Sequence, residues 1–228
     1  MIGIIGAMDI EVDILKEEMD VAERETVSGV EFVSGTLCGR SVVVAKCGIG
    51  KVFAALCTEA MIIKYKPDLV INTGVAGSLS KNLGTMDVAI AKAVVQHDYD
   101  TSPIGDPKGL VSGLDSIDIP ADVPLSLAVE GIIKGMGIHC EYGVIASGDQ
   151  FICSADKKNE IISDFSAIAC EMEGASIGHV CHVNKVPFTV IRAISDSADG
   201  SSDMDYPVFA EKAAKLSANI VKSFIMSL

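Results

Sequence analysis

Carboxylates stand where apolar runs break off at three places in the chain. Cys170-Glu171-Met172-Glu173-Gly174-Ala175 sets two acids around one methionine, between an apolar strand-like run and an apolar helix-like run. Acids embedded in so much apolar sequence need a partner or a ligand. On an extended backbone Glu171 and Glu173 point to one side, and on a helical one they diverge. Either could bind vicinal hydroxyls of a sugar; the competing reading is a helix N-terminus that satisfies the acids. Ile191-Arg192-Ala193-Ile194-Ser195-Asp196 brings Asp196 out of another apolar run, a setting that raises an aspartate pKa and suits a general acid. Arg192, at an even spacing, is its expected counter-ion on the same strand face, and capping of the following turn explains Asp196 about as well. Glu11 falls in the first turn of an expected helix beside Asp9 and Asp13. By itself it reads as a helix-dipole carboxylate.

Smaller residues frame these acids. Asn72-Thr73-Gly74-Val75-Ala76-Gly77-Ser78 reads as a loop after a buried strand, either a close approach to a ligand or a plain strand-to-helix turn. Ser147-Gly148-Asp149-Gln150-Phe151-Ile152 places an aromatic ring next to a polar loop, where it either stacks on a planar ligand or joins the core. Gly3-x-x-Gly6 lacks the third glycine of a dinucleotide fingerprint, so tight strand–helix packing is the preferred reading. His97 precedes Asp98 at a strand end and reads as structural. His179 and His182 have no third ligand in register, so no metal is expected.

These motifs need elements to hold them. Short apolar runs at 2–7, 69–72, 86–95, 140–147, 167–171 and 187–194 read as strands. Amphipathic or apolar runs at 9–19, 50–65, 125–136, 155–165, 172–184 and 206–226 read as helices. Residues 27–47 alternate around Gly29, Gly35 and Gly39, which predicts antiparallel hairpins. Residues 103–124 hold four of the seven prolines and read as one long loop. The alternation predicts one α/β domain over 1–228 with a mixed central sheet. A net charge of -13 argues against binding nucleic acid or an anionic membrane by charge. Seven cysteines without a C-x-x-C pair, and an N-terminus without a basic leader, predict a soluble cytoplasmic protein with reduced thiols.

Taken together, Gly3-Ile-Ile-Gly-Ala-Met-Asp-Ile-Glu11, Gly48-Ile-Gly-Lys51, Asn72-Thr-Gly-Val-Ala-Gly77, Ser147-Gly-Asp-Gln-Phe-Ile152, Glu171-Met-Glu173 and Arg192-Ala-Ile-Ser-Asp196 occur in order. This series resembles the bacterial 5'-methylthioadenosine/S-adenosylhomocysteine nucleosidases of the purine nucleoside phosphorylase/uridine phosphorylase superfamily. The resemblance implies a three-layer α/β/α fold, a homodimer and cofactor-free hydrolysis of the bond between adenine N9 and ribose C1'. It makes Glu11 the base that activates water and Asp196, with Ser195 beside it, the acid at adenine N7. It places Glu173 and the Met172 backbone on the ribose hydroxyls, with Glu171 contributing there. Phe151 would stack on adenine and the Ile152 backbone would read its edge. Ala76 and Gly77 would line the base and ribose side, and Met8, Ile49 and Tyr206 the 5' pocket. The 97–113 loop would reach the partner's site. Val75 stands where many relatives carry Ser, and the loop after His97-Asp98 diverges, which leaves the preferred 5' group open. The rival activities are a futalosine-type nucleosidase or a phosphorylase of the same superfamily, and more distantly a non-catalytic sensor of adenosine derivatives.

Overall fold

The computed structural model describes residues 1–200 and 206–228, without the side chains of Tyr206 and Pro207. The chain opens with β1 (Ile2–Gly6), buried at every position, and α1 (Asp9–Glu17). An antiparallel meander follows, β2 (Asp20–Val27), β3 (Val30–Leu37) and β4 (Arg40–Lys46). Its turns run through Ser28-Gly29 and Cys38-Gly39, each with positive φ at both residues. That is the hairpin geometry whose twist matches the strands it joins. The hairpins are as expected, but β2 begins earlier than the sequence indicated. Its residues are mostly exposed, so no apolar alternation marks it.

Next come α2 (Lys51–Tyr65), β5 (Leu69–Ser78), β6 (Val88–Gln96) and the two-residue β7 (Ile119–Pro120) inside the long proline-rich connection. The chain continues through α3 (Val123–Gly135), β8 (Cys140–Ser147), α4 (Ala155–Phe165), β9 (Ala167–Glu171), α5 (Gly174–Asn184), β10 (Phe188–Asp196) and α6 (Tyr206–Ser227). Asp122 and Ser154 cap α3 and α4, accepting from the backbone N–H of Leu125 at 3.0 Å and of Lys157 at 3.2 Å.

Strand β5 organises the mixed sheet. Its first half pairs in parallel with β1, its end pairs antiparallel with β9, and β10 runs parallel along nearly all of it. Because β10 also pairs with β6, β6 with β8 and β8 with β9, these five strands close into a ring. β1, β4, β3 and β2 extend from it as an open sheet. Helices α1, α3 and α6 bury Val12, Leu15, Val129, Ile133, Val221 and Phe224 on one face, against Ile4, Ile71, Ile90 and Ile191. On the other face α2 and α5 bury Ala54, Cys57, Met61, Ile177 and Cys181 against Ile5, Val70 and Val190, and α4 packs Ile161 and Phe165 against Val95 and Ala146. Each fully buried Leu, Ile or Phe contributes about 1.5–3 kcal/mol relative to exposure. The result is the three-layer α/β/α arrangement expected from the sequence.

One expectation is corrected. Residues 72–78 are the second half of β5 and do not form a loop. Their small side chains suggest a turn, but β10 pairs along one edge, and on the other β9 pairs Gly77 and Ser78 while the Gly74 and Val75 amides donate to Ser217 Oγ and Glu11 Oε1, which holds the segment extended. Among the described residues no helix is long and apolar enough to cross a membrane.

Candidate active site

The ends of β1, β5, β9 and β10 meet at one cleft, which holds about 630 Å³ of empty space with its open mouth included. Ligands of open α/β sheets bind at such strand ends. Met8, Glu11, Ile49, Ala76, Gly77, Phe151, Ile152, Glu171, Met172, Glu173, Ser195 and Asp196 all line it, as do Ala7, Val75, Gln150 and Cys170. The side chain of Tyr206, the remaining residue singled out, lies outside the described residues.

One wall is a buried cluster of charge. Arg192 is fully buried on β10. Its Nη2 forms an ion pair with Glu171, donates to Asn72 Oδ1 at 2.7 Å and lies 3.7 Å from Glu173 Oε2. Its Nη1 donates to the Thr73 carbonyl at 3.2 Å. Glu171 also accepts from Ser147 Oγ and from the backbone N–H of Glu173 and Gly174, at 3.1 and 2.7 Å. Glu173 sits at the start of α5 and takes the Gly50 N–H on Oε1 at 2.8 Å. The two glutamates therefore converge on one guanidinium, because β9 stays extended through Glu171 and α5 begins after Glu173.

Glu11 completes this wall. It is 2% exposed, and its carboxylate turns back over the first turn of α1. Oε2 accepts from the Ala7 and Met8 amides at 2.6 and 3.0 Å, and Oε1 accepts from the Val75 amide at 3.1 Å. A Cβ at position 74 would sit 2.5 Å from Glu11 Oε1 and closer still to Arg192 Nη1, so only glycine lets β5 pass here. Burial pushes the Glu11 carboxyl up, while the charge of Arg192 and the three amides pull it down. Burial and the like charge of Glu171 push Glu173 up to about 7, against Arg192. Three acids share one buried cation, and their protonation is therefore tied together in a low-dielectric setting.

The opposite wall is sparse. Asp196 Oδ1 accepts from Ser195 Oγ at 2.8 Å and Oδ2 from the Ala198 N–H at 2.9 Å. Ser195 Oγ also lies 3.3 Å from the Ala76 carbonyl. Its single proton serves one of these acceptors at a time. The expected pairing of Arg192 with Asp196 does not occur. Four residues of strand span about 13 Å, and a bulge between Ile194 and Asp196 breaks the alternation that would have kept both on one face. Arg192 serves the glutamates instead. At the mouth Phe151 is 55% exposed and faces the cleft, so it is not a core residue, while Ile152 beneath it is buried.

The role of Arg192 as the centre of the acidic wall was missed by sequence reasoning, and so was Ser147 as a partner of Glu171. A lone arginine in an apolar strand, in a chain where three acids interrupt apolar runs, was the available signal. Among the described residues no cluster of three His, Cys, Asp or Glu side chains is placed to hold a metal ion.

The family model of the phosphorylase superfamily matches residues 1–226. A 5'-methylthioadenosine/S-adenosylhomocysteine nucleosidase from Shewanella pealeana is 40% identical, over 100% of this chain and 99% of its own length. The chain belongs to the nucleosidase family of the phosphorylase superfamily. The nucleosidase fold is matched equally well in solved structures. A variant of the Helicobacter pylori nucleosidase with 5'-methylthioadenosine in the active site superposes with a TM-score of 0.95 at 39% identity, covering 100% of this chain and 98% of the other. The futalosine hydrolase of Helicobacter pylori strain 26695 superposes with a TM-score of 0.95 at 38% identity, covering 100% and 97%.

Proposed function

We propose that this chain hydrolyses the bond between adenine N9 and ribose C1' in 5'-methylthioadenosine and S-adenosylhomocysteine, and in 5'-deoxyadenosine too. The observation that carries this reading is the division of acids between two walls of one cleft. Glu11 takes a proton from water as the water attacks C1'. The N9–C1' bond breaks, its electron pair passes to adenine, and Asp196 donates a proton to N7 so that adenine leaves neutral. Adenine and the 5-thio-substituted ribose are the products. Positive charge builds on the sugar as the bond breaks, and the anionic wall stabilises it where water is largely excluded. Base and acid flank the sugar, as an inverting displacement requires. Glu173 and the Met172 backbone bind the ribose hydroxyls with Glu171 behind them, Phe151 stacks on adenine, and Ala76 and Gly77 line the base and ribose. Met8 and Ile49, with Tyr206, receive the apolar 5' group.

A phosphorylase would need a cation for phosphate. No Lys or Arg lines the cleft among the described residues, and Arg192 is taken up by carboxylates. The likeness to a futalosine hydrolase favours a second reading, action on futalosine-type nucleosides through the same machinery. Adenine release from 5'-methylthioadenosine in phosphate-free buffer tests the main reading. Release only after phosphate is added makes the protein a phosphorylase, and release of base only from a futalosine-type nucleoside selects the second reading.

We also propose that the chain folds as one domain over 1–228, works in the cytoplasm without cofactor, and pairs with a second copy. Val52, Phe53 and Ile63 of α2 are 76%, 57% and 65% exposed, and Ile104 in the 97–113 loop is 82% exposed. Apolar side chains this exposed are suited to an interface. In the pair the 97–113 loop would approach the other subunit's 5' pocket. Light scattering on the wild type and on Val52→Glu measures the assembly; a monomeric wild type contradicts it.

A further inference from the structure

The two lips of the cleft lie on segments outside the sheet. One is residues 47–50, carrying Ile49; the other is residues 148–154, carrying Gln150, Phe151 and Ile152. Among the described residues, backbone bonds anchor only their first residues to the sheet, Cys47 to the Gly6 carbonyl and Gly148 to the Glu171 carbonyl, so beyond these points their separation depends on the side chains that join them. A ring of three residues does so. Lys51, the first residue of α2, donates from Nζ to Asp98 Oδ1 at 2.6 Å. The Asp149 backbone N–H donates to Asp98 Oδ2 at 2.9 Å, and the Lys51 backbone N–H donates to Asp149 Oδ1 at 2.7 Å. The ring closes on itself, and none of its members lines the cleft.

The surroundings fit a device under constraint. The side chains of Lys51 and Asp98 are 18% and 17% exposed, so salt screens the pair less than a surface pair. Lys51 Nζ lies 3.3 Å from Gln96 Oε1, and Ser176 Oγ donates to the Lys51 carbonyl at 2.6 Å, which ties the ring to β6 and α5. Gly50 has φ of 99°, and a Cβ there would come 2.9 Å from Asp149 Oδ1. The same Gly50 donates its N–H to Glu173, so the ring, one lip and the ribose-side carboxylate are mechanically connected.

We propose that Lys51, Asp98 and Asp149 form a clasp that fixes the gap between the lips and thereby sets the affinity for the nucleoside. They are positioning residues; the clasp is read from geometry alone, and its kinetic consequence rests on the hydrolase reading above. Charge-assisted hydrogen bonds are the strong ones, so loss of the clasp widens the cleft more than loss of a surface pair would. The bond-breaking groups stay in place, because Glu11 and Asp196 are held by other partners.

Lys51→Met, Asp98→Asn, the double variant, Lys51→Arg and the control Lys64→Met form the test set; Lys64 pairs with Glu25 away from the cleft. Amide hydrogen exchange is measured first, on ligand-free protein. Lys51→Met and Asp98→Asn should each speed exchange in both 47–53 and 148–153, segments about a hundred residues apart, while Lys64→Met leaves both unchanged. Unchanged exchange in 148–153 overturns the clasp. Kinetics with 5'-methylthioadenosine follow. KM should rise about tenfold with kcat within about threefold, the double variant should be no worse than the worse single one, and Lys51→Arg should recover most of the loss. A fall in kcat at constant KM, or additive single effects, overturns the proposal. If the wild type releases no adenine, the hydrolase reading falls and the exchange result decides the clasp alone.

Discussion

The two walls of the cleft use the same functional group in opposite ways. On one, Glu11, Glu171 and Glu173 crowd around a single buried guanidinium and a set of backbone amides. On the other, among the described residues, Asp196 meets a serine hydroxyl and one amide. Crowding couples these acids, since none on that wall can move or gain a proton without changing its neighbours' energies. Asp196 has no cation paired with it among the described residues, and its two oxygens accept there only from neighbours one and two residues away. Two acids in one cleft thus meet different surroundings, and under the proposed mechanism it is these neighbours, rather than residue type, that divide base from acid.

The comparison can be broken hardest at Arg192. Arg192→Met leaves three carboxylates buried without their cation, and the expected cost is about 3–5 kcal/mol of stability. Denaturant unfolding reads it, and a stability within error of wild type would mean that the acidic wall does not depend on the pair. Asp196→Asn should do the reverse: turnover falls by roughly a hundredfold to ten-thousandfold while thermal stability and ligand affinity change little. Single-turnover kinetics beside calorimetric binding separate the two, and normal turnover would remove Asp196 as the acid. Glu173→Gln probes the crowding through pH. The folded carboxyl titrates near 7 against an ordinary value of 4.5, so between those pH values the native state keeps a proton that the unfolded chain has lost. Wild-type stability therefore loses this contribution as pH rises through the window, by up to roughly 3 kcal/mol, and the variant should not. Melting both proteins at pH 4.5 and pH 8 tests this, and parallel pH slopes would contradict it. The smallest effect is expected at Gly3, where an added Cβ meets Met61 Sδ at 2.6 Å. Methionine can swing aside, so Gly3→Ala should cost about 1 kcal/mol and leave activity intact. Gly74→Ala, pressed against Arg192 and Glu11, should abolish activity in the same assay.

Most of the elements were legible because apolar period and turn residues agree. β1, α2, β8, α4 and β9 fall within a residue or so of where the sequence puts them. Two failures have one cause, which is that long-range pairing leaves no local trace. Asn72–Ser78 looks like a loop because its residues are small, and only distant partners, β10 along one edge and β9, Ser217 and Glu11 on the other, make it extended. Arg192 and Asp196 look like partners by spacing, but strand length keeps them apart and a bulge against β5 breaks the alternation between them. The acids themselves stood out because charge inside apolar runs is costly wherever the chain folds. Which acid meets which cation depends on the closing of the strand ring, which no local window contains.

The ends of the sheet carry a consequence of their own. The outermost strand on the open side is β2, whose sequence Asp-Val-Ala-Glu-Arg-Glu-Thr-Val is charged and largely exposed. At the far side five strands close on themselves, with the two-residue β7 attached to β6. An unpaired strand rim is where proteins add foreign strands and grow into aggregates. Here the far side closes, and the open rim carries Asp20, Glu23 and Glu25 against Arg24, a net negative charge that opposes pairing with a copy of itself. The open rim is thereby a poor template for adding a strand from any other chain, which leaves recognition of partners to side-chain shape rather than to backbone pairing.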